Sequence, residues 1–142
     1  MKYLMILILL AVGNLSQANC KKIKVDGLTY IDLPIALTTQ RGAVINSLLC
    51  HKSMTEPLTK AMQCVIIVGL EAELTTTGGC FCYRNVAGTD RLSRHANGTA
   101  IDLNPGLPMS PGIVDCFEQS GFEWGGRWSN PDPMHFELKE IK

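Results

Sequence analysis

Two short segments of the chain combine a histidine with a nearby carboxylate. Of the three histidines in the chain, one lies seven residues before Asp102 and another lies three residues after Asp132. Neutral imidazole and carboxylate are both good zinc ligands, and three protein ligands leave a fourth position for the water of a catalytic site. The pattern therefore predicts a Zn2+ site held by His95, Asp102 and His135, with Asp132 as the base that takes a proton from water.

Each motif taken alone is also typical of ordinary structure. A His beside an Asp is usually a hydrogen-bonded pair, and Asp132-Pro133 favours a turn. Their combination in a chain poor in histidine favours a metal site. Two other classes stay open. A non-catalytic, zinc-containing binding module of the same fold would have no use for Asp132 as a base. A cysteine-rich structural or inhibitory protein would hold no stoichiometric zinc.

The two motifs together resemble a known family. Residues 93–102 follow the pattern Ser-x-His-x-x-Gly-x-Ala-x-Asp, and residues 132–137 follow Asp-x-x-His-Phe-Glu. This order is similar to that of the VanY-type zinc peptidases, which are D-alanyl-D-alanine carboxypeptidases and L-alanyl-D-glutamate endopeptidases acting on bacterial cell-wall peptides. The resemblance extends over residues 78–138 and implies a peptidoglycan peptide as substrate.

The resemblance also implies roles for residues outside the ligand set. Arg84 matches the catalytic arginine that steadies an oxyanion or a substrate carboxylate. Glu137 is expected to orient a ligand histidine, as groups behind metal ligands commonly do. Ser93 matches a motif serine that supports the site, and we assign it to substrate binding. Trp124 and Trp128 are assigned to substrate binding on a different ground, since aromatic residues recur at binding surfaces, although ordinary core packing is an equally good interpretation of both.

The choice of peptide bond stays open at this point. The run Trp124-Gly125-Gly126 is closer to the endopeptidase branch of the family. A carboxypeptidase needs a cation for the terminal carboxylate of its substrate, and either Arg84 or Arg127 is available for that role. Arg127 stands where family members often carry an acidic residue, so the sequence departs from the family pattern there.

The first eighteen residues predict a signal peptide. Lys2 precedes an apolar run over residues 3–13 that is too short to span a bilayer, and Ser16-Gln17-Ala18 resembles a cleavage site. We therefore predict a signal peptide over residues 1–18, a zinc peptidase domain over residues 19–142, no stable membrane span, and a secreted or periplasmic location. A lipid anchor on Cys20 is the alternative, but Asn19 stands where a small residue usually precedes a lipidated cysteine.

Cysteine content and charge narrow the class of protein further. All six cysteines follow residue 18, which predicts an oxidising compartment and up to three disulfides, with fifteen possible pairings. The 13 Lys and Arg residues balance 13 Asp and Glu residues, so nothing indicates a nucleic-acid or membrane-surface partner. The Cys80-x-Cys82 pair has poor spacing for zinc ligands. We expect a monomer.

Apolar spacing and turn residues predict an α+β fold, with a small, mainly antiparallel sheet and packed helices in a single domain stabilised by disulfides. Helices are expected over residues 42–51, from Ser53 to about Leu70, and from Pro111 to about Ser120; strands are expected over residues 28–31, 73–77, 80–83, 98–103 and 134–138.

Overall fold

The computed structural model describes residues 20–141. The predicted signal peptide lies outside the described residues. The strands are β1 (Leu28–Thr39), β2 (Val44–His51), β3 (Thr76–Gly79), β4 (Ala100–Leu103), β5 (Phe122–Trp124) and β6 (His135–Leu138), and the α-helices are α1 (Thr55–Ile67) and α2 (Pro111–Gln119). None of the helices within residues 20–141 is long and apolar enough to cross a membrane.

The six strands form one mixed sheet in the order β2-β1-β3-β4-β6-β5. The α+β class is confirmed, but the expectation of a mainly antiparallel sheet is wrong, because β3 runs parallel to β1. The physical reason is the length of chain between β1 and β3, which includes β2 and α1. A tight turn can only join antiparallel neighbours, whereas parallel neighbours need a longer connection of this kind. The other neighbouring strands pair antiparallel.

The helix predicted over residues 42–51 is wrong. These residues form β2, which pairs with β1 in a hairpin that places Leu48 opposite Ile31 and Leu49 opposite Tyr30. The short strand predicted over residues 28–31 is also longer, since β1 continues to Thr39 with alternate side chains buried. The apolar residues of β2 also fit helical spacing, but packing of their β-branched and leucine side chains against β1 stabilises the strand more than a helix.

Both helices pack on the sheet and on each other. The Cys64–Cys116 disulfide joins α1 to α2, and the ring of Phe117 on α2 contacts those of Phe122 on β5 and Phe136 on β6. Burial of each large apolar side chain contributes about 1.5–3 kcal/mol. The buried helical side chains are Leu58, Ala61, Met62 and Val65 of α1 and Ile113, Val114, Cys116 and Phe117 of α2.

One helix begins at the predicted residue and the other does not. Ser110 precedes α2 with Pro111 at its first position, as predicted. Helix α1 begins at Thr55, because Ser53 belongs to a preceding 3₁₀ turn and its backbone N–H donates to His51 Nδ1 at 3.2 Å. The strand predicted over residues 80–83 is irregular backbone.

Candidate metal centre

The sheet brings the two histidine motifs together. Asp102 on β4 lies opposite His135 on β6 in the antiparallel register. His95 lies in the 3₁₀ turn Arg94–Asn97, just before β4. The Ser93 hydroxyl accepts a hydrogen bond from the backbone N–H of His95 at 3.2 Å, so Ser93 caps this turn. Its place in the structure is that of a supporting residue behind the histidine.

The three predicted ligands form a compact, buried group. Their ligand atoms all lie within 4.8 Å of one another. Asp102 Oδ1 lies 3.1 Å from His95 Nε2 and 3.3 Å from His135 Nδ1. Two imidazoles and one carboxylate that converge in this way provide three of the four ligands of a tetrahedral zinc site. The donor set therefore fits a divalent metal ion.

The remaining ring nitrogens of both histidines are already occupied. His95 Nδ1 donates to the backbone carbonyl of Cys80 at 2.7 Å, and His135 Nε2 donates to Glu137 Oε2 at 2.8 Å. These bonds leave His95 Nε2 and His135 Nδ1 to face Asp102. Such outer contacts fix the tautomer and orientation of metal-ligating histidines.

The electrostatics of the group also suit a cation. Burial raises the pKa of Asp102, but hydrogen bonds from His135 and His95 outweigh it and hold the pKa of this carboxyl well below its usual range. Burial lowers the pKa of His135, while hydrogen bonds to Asp102 and Glu137 raise it, for a net value of about 9. The carboxylates of Asp102 and Glu137 therefore favour positive charge in the site, carried either by a proton or by a metal ion.

Asp132 lies beside this group, half-buried in the loop before β6. Its backbone N–H donates to Gly125 O at 2.9 Å, and its carbonyl accepts from the N–H of His135 at 3.1 Å. Burial raises the pKa of the Asp132 carboxyl, as does the charge of Asp102, while His135, His95 and Arg84 lower it. A carboxylate so placed can accept a proton next to the candidate ligands.

Gly125 is required where this loop turns against the site. A Cβ atom at this position would lie 2.7 Å from the carbonyl oxygen of Asp132 and 3.2 Å from His135 Cβ. Only glycine permits this close approach. Gly125 was not predicted as a residue of the site, and the Gly125-Gly126 pair is the feature of the sequence that could have indicated it.

A pocket of about 260 Å³ opens onto His95 and Asp102. Arg84 lines it, and the Nε atom of this arginine is buried without a hydrogen-bond partner among the described residues. A buried polar donor without a partner carries an energetic penalty unless a ligand or water satisfies it. Arg84 is therefore positioned to meet an anionic or carbonyl oxygen in the pocket.

The two tryptophans differ in their surroundings. The ring of Trp128 lies 5.1 Å from that of His135, next to the candidate metal site. Trp124 packs partly against the hydrophobic core, and its Nε1 donates to Pro133 O at 2.8 Å. Trp124 thus braces the loop that carries Asp132, whereas Trp128 is close enough to the site for substrate contact. Substrate binding by either residue stays a prediction.

Two contacts of the site were not predicted from the sequence. The backbone carbonyl of Cys80 holds His95, and Cys80 itself is tied to Cys50 by a disulfide. Cys20 lines the pocket and forms a disulfide with Cys82. Because one sulfur atom cannot form both bonds, the Cys20–Cys82 disulfide argues against a lipid anchor on Cys20.

Comparison with known proteins is consistent with this geometry. A family model described as D-alanyl-D-alanine carboxypeptidase, of the M15 peptidases, matches residues 87–138. This segment contains His95, Asp102, Asp132 and His135, and the match confirms the resemblance drawn from their motifs. No curated protein and no solved structure matched the chain. At the level of the family, the match supports a metal-dependent, peptidoglycan-related peptidase.

Proposed function

We propose that the protein is a secreted or periplasmic zinc peptidase that hydrolyses peptide bonds in peptidoglycan stem peptides. The observation that supports this proposal best is the buried convergence of His95, Asp102 and His135 with Asp132 beside them. A signal peptide over residues 1–18, a peptidase domain over residues 19–142 and a monomeric state belong to the same proposal.

His95 Nε2, an Asp102 carboxylate oxygen and His135 Nδ1 would hold the ion. When bound, zinc supplies a Lewis acid that polarises the substrate carbonyl and lowers the pKa of a water molecule. Asp132 accepts the proton of the attacking water and then donates it to the leaving amine. The Arg84 guanidinium donates to the oxygen on which negative charge develops. Glu137 keeps the His135 ring in position.

Arg84 is a better candidate than Arg127 for this role. The Arg127 guanidinium donates from Nε and from Nη2 to the two carboxylate oxygens of Glu118, at 2.8 and 3.0 Å, and lies 5.6 Å from the centre of the Trp124 ring. Two of its donors are therefore engaged by Glu118. Arg84 lines the pocket and retains a buried donor without a partner.

The test is metal analysis of the purified, oxidised protein together with digestion of peptidoglycan in the presence and absence of a chelator. We expect about one zinc ion per chain and chelator-sensitive release of peptide fragments. The fragment masses distinguish cleavage between L-Ala and D-Glu from removal of the terminal D-Ala. Zinc without cleavage would favour the non-catalytic binding module, and a folded protein without zinc affinity would contradict the ligand assignment.

A further inference from the structure

The N-terminal arm, residues 20–24, borders the pocket of the candidate site. Cys20 lines this pocket together with Arg84, His95 and Asp102. The next residue, Lys21, forms an antiparallel bridge with Tyr83, in which its N–H donates to Tyr83 O at 3.0 Å. The arm therefore runs beside the segment that carries Arg84.

A covalent bond fixes the position of this arm. All five residues of the arm are exposed, so burial of apolar surface contributes little to holding it in place. The Cys20–Cys82 disulfide joins it to the pocket wall, with a Cα–Cα distance of 5.0 Å. Cys82 is itself fixed to the site, because its backbone N–H donates to His95 O at 2.9 Å.

The arm carries a local concentration of positive charge. Lys21, Lys22 and Lys24 are all exposed, in a chain whose basic and acidic residues balance overall. Lys21 directly follows Cys20, which lines the pocket together with Arg84, so these lysines belong to the arm that borders the pocket. Such a cluster attracts anionic ligands, and the attraction between exposed charges weakens as salt increases.

We propose that the N-terminal arm is a cationic wall of the substrate cleft, held in place by the Cys20–Cys82 disulfide, that binds carboxylates of the peptide substrate remote from the bond that is cut. This inference rests on the proposed function for the identity of the peptide. A stem peptide that contains D-glutamate carries a side-chain or α-carboxylate in addition to its terminal carboxylate, so it provides suitable anionic groups.

The first test removes the charges and leaves the disulfide intact. The double variant Lys21→Gln/Lys22→Gln is compared with Lys60→Gln/Lys139→Gln, which removes two exposed lysines that line a separate groove. The Kd of a soluble stem peptide is measured by calorimetry in an Asp132→Asn background, at low and high salt. The KM and kcat for cleavage are measured with Asp132 intact.

We expect the arm variant to weaken binding and to raise KM by about two- to tenfold at low salt, as exposed charge pairs usually allow. The loss of peptide affinity should be smaller at high salt, because salt screens exposed charges. The kcat should stay within about twofold of the parent value. The control variant should change none of these quantities. Equal peptide affinity for the arm variant and its parent, or a fall in kcat accompanied by loss of zinc, would overturn the inference.

The second test releases the arm. Cys20→Ser/Cys82→Ser is compared with Cys64→Ser/Cys116→Ser, which removes a disulfide between the two helices. We expect only the first pair to weaken peptide binding, and we expect no further loss when it is combined with the lysine substitutions. Additive losses would show that the lysines act without the disulfide and would contradict its proposed role.

These measurements separate the inference from the proposed function. If the parent protein binds the peptide through the arm but never cleaves it, the proposed peptidase activity is wrong and the proposed binding role of the arm stands. If the parent protein cleaves the peptide and the arm variant has the same KM, the proposed role of the arm is wrong and the peptidase activity stands. Absence of any peptide binding by the zinc-loaded parent would contradict both.

Discussion

The carboxylate of Asp102 lies between the two histidines of the candidate site, and the second ring nitrogen of each histidine is hydrogen-bonded to another group. One partner is a backbone carbonyl, that of Cys80, and the other is the side chain of Glu137. A backbone carbonyl cannot be removed by a side-chain substitution, whereas Glu137 can be changed singly. The two histidines therefore differ in how their orientation can be tested.

Asp132→Asn tests the proposed general base. The amide is close in size to the carboxylate but cannot accept the proton, so kcat should fall about 10²–10⁴-fold. Zinc content should stay at the parent level, since Asp132 is outside the ligand set. Steady-state cleavage of stem peptide and metal analysis of the same preparation check both quantities.

His135→Ala provides the contrast to this variant, because it removes a ligand and should lose zinc affinity together with activity. Parent-level cleavage by Asp132→Asn would show that another group takes the proton.

Glu137→Gln tests the contact behind His135. Loss of the charged hydrogen bond to Nε2 should lower zinc affinity about 10- to 100-fold, the usual effect of such outer partners. Competition with a metal-sensitive chelator dye measures the affinity. Glu140→Gln is the matched control on an exposed residue, and equal zinc affinity in the two variants would contradict the orienting role of Glu137.

At the scale of elements, the turn between His95 and Asp102 is packed against the end of β2. Gly98 closes this turn in the left-handed region with φ 72°, and its carbonyl accepts from the N–H of His51 at 2.8 Å. A Cβ atom at Gly98 would lie 2.7 Å from His51 N and 2.9 Å from Leu28 Cδ2. The β1–β2 hairpin thus supports the turn that carries His95 and leads into the strand that carries Asp102.

Gly98→Ala tests this support, with Gly88→Ala as its control. Both glycines have nearly the same positive φ, but a Cβ at Gly88 would meet nothing within 4 Å. Both variants should lose about 1–2 kcal/mol from the left-handed backbone, and Gly98→Ala should lose roughly a further 1–3 kcal/mol from overpacking. Denaturant unfolding measures the difference, and equal losses would show that the turn is not tightly packed.

The elements also show which features of this fold can be read from sequence. The candidate ligands were predicted because each motif is local, and a turn or a short strand already fixes most of its geometry. The β1–β2 hairpin was missed because the apolar residues of β2 also fit helical spacing, and pairing with β1 decides the outcome. The contact between Cys80 and His95 spans fifteen residues and involves a backbone atom, so no residue type signalled it.

At the scale of the whole molecule, the three disulfides have different positions relative to the site. Cys20–Cys82 and Cys50–Cys80 both anchor the segment that lies against His95, whereas Cys64–Cys116 joins α1 to α2. Stability and site geometry should therefore respond differently to loss of each bond.

Cys64→Ser/Cys116→Ser is expected to lower the free energy of unfolding by about 2–4 kcal/mol, because a closed loop of this length restricts the unfolded chain. Zinc affinity should stay at the parent value in the folded protein. Thermal or denaturant unfolding and zinc titration measure the two quantities, and a parallel loss of zinc affinity would show that the helix pair also determines site geometry.

The connectivity of these disulfides has a consequence for how the chain matures. In order along the sequence, the first cysteine pairs with the fifth, the second with the fourth and the third with the sixth. If the chain is secreted with its N-terminus first into an oxidising compartment, as proposed, Cys50 becomes available to Cys20 well before Cys82 appears. Oxidation in order of appearance would therefore trap non-native pairs, and the native set then requires thiol–disulfide exchange. Maturation of this protein should therefore depend on a disulfide isomerase or a thiol redox buffer, and refolding of the reduced chain with and without such a buffer measures this dependence.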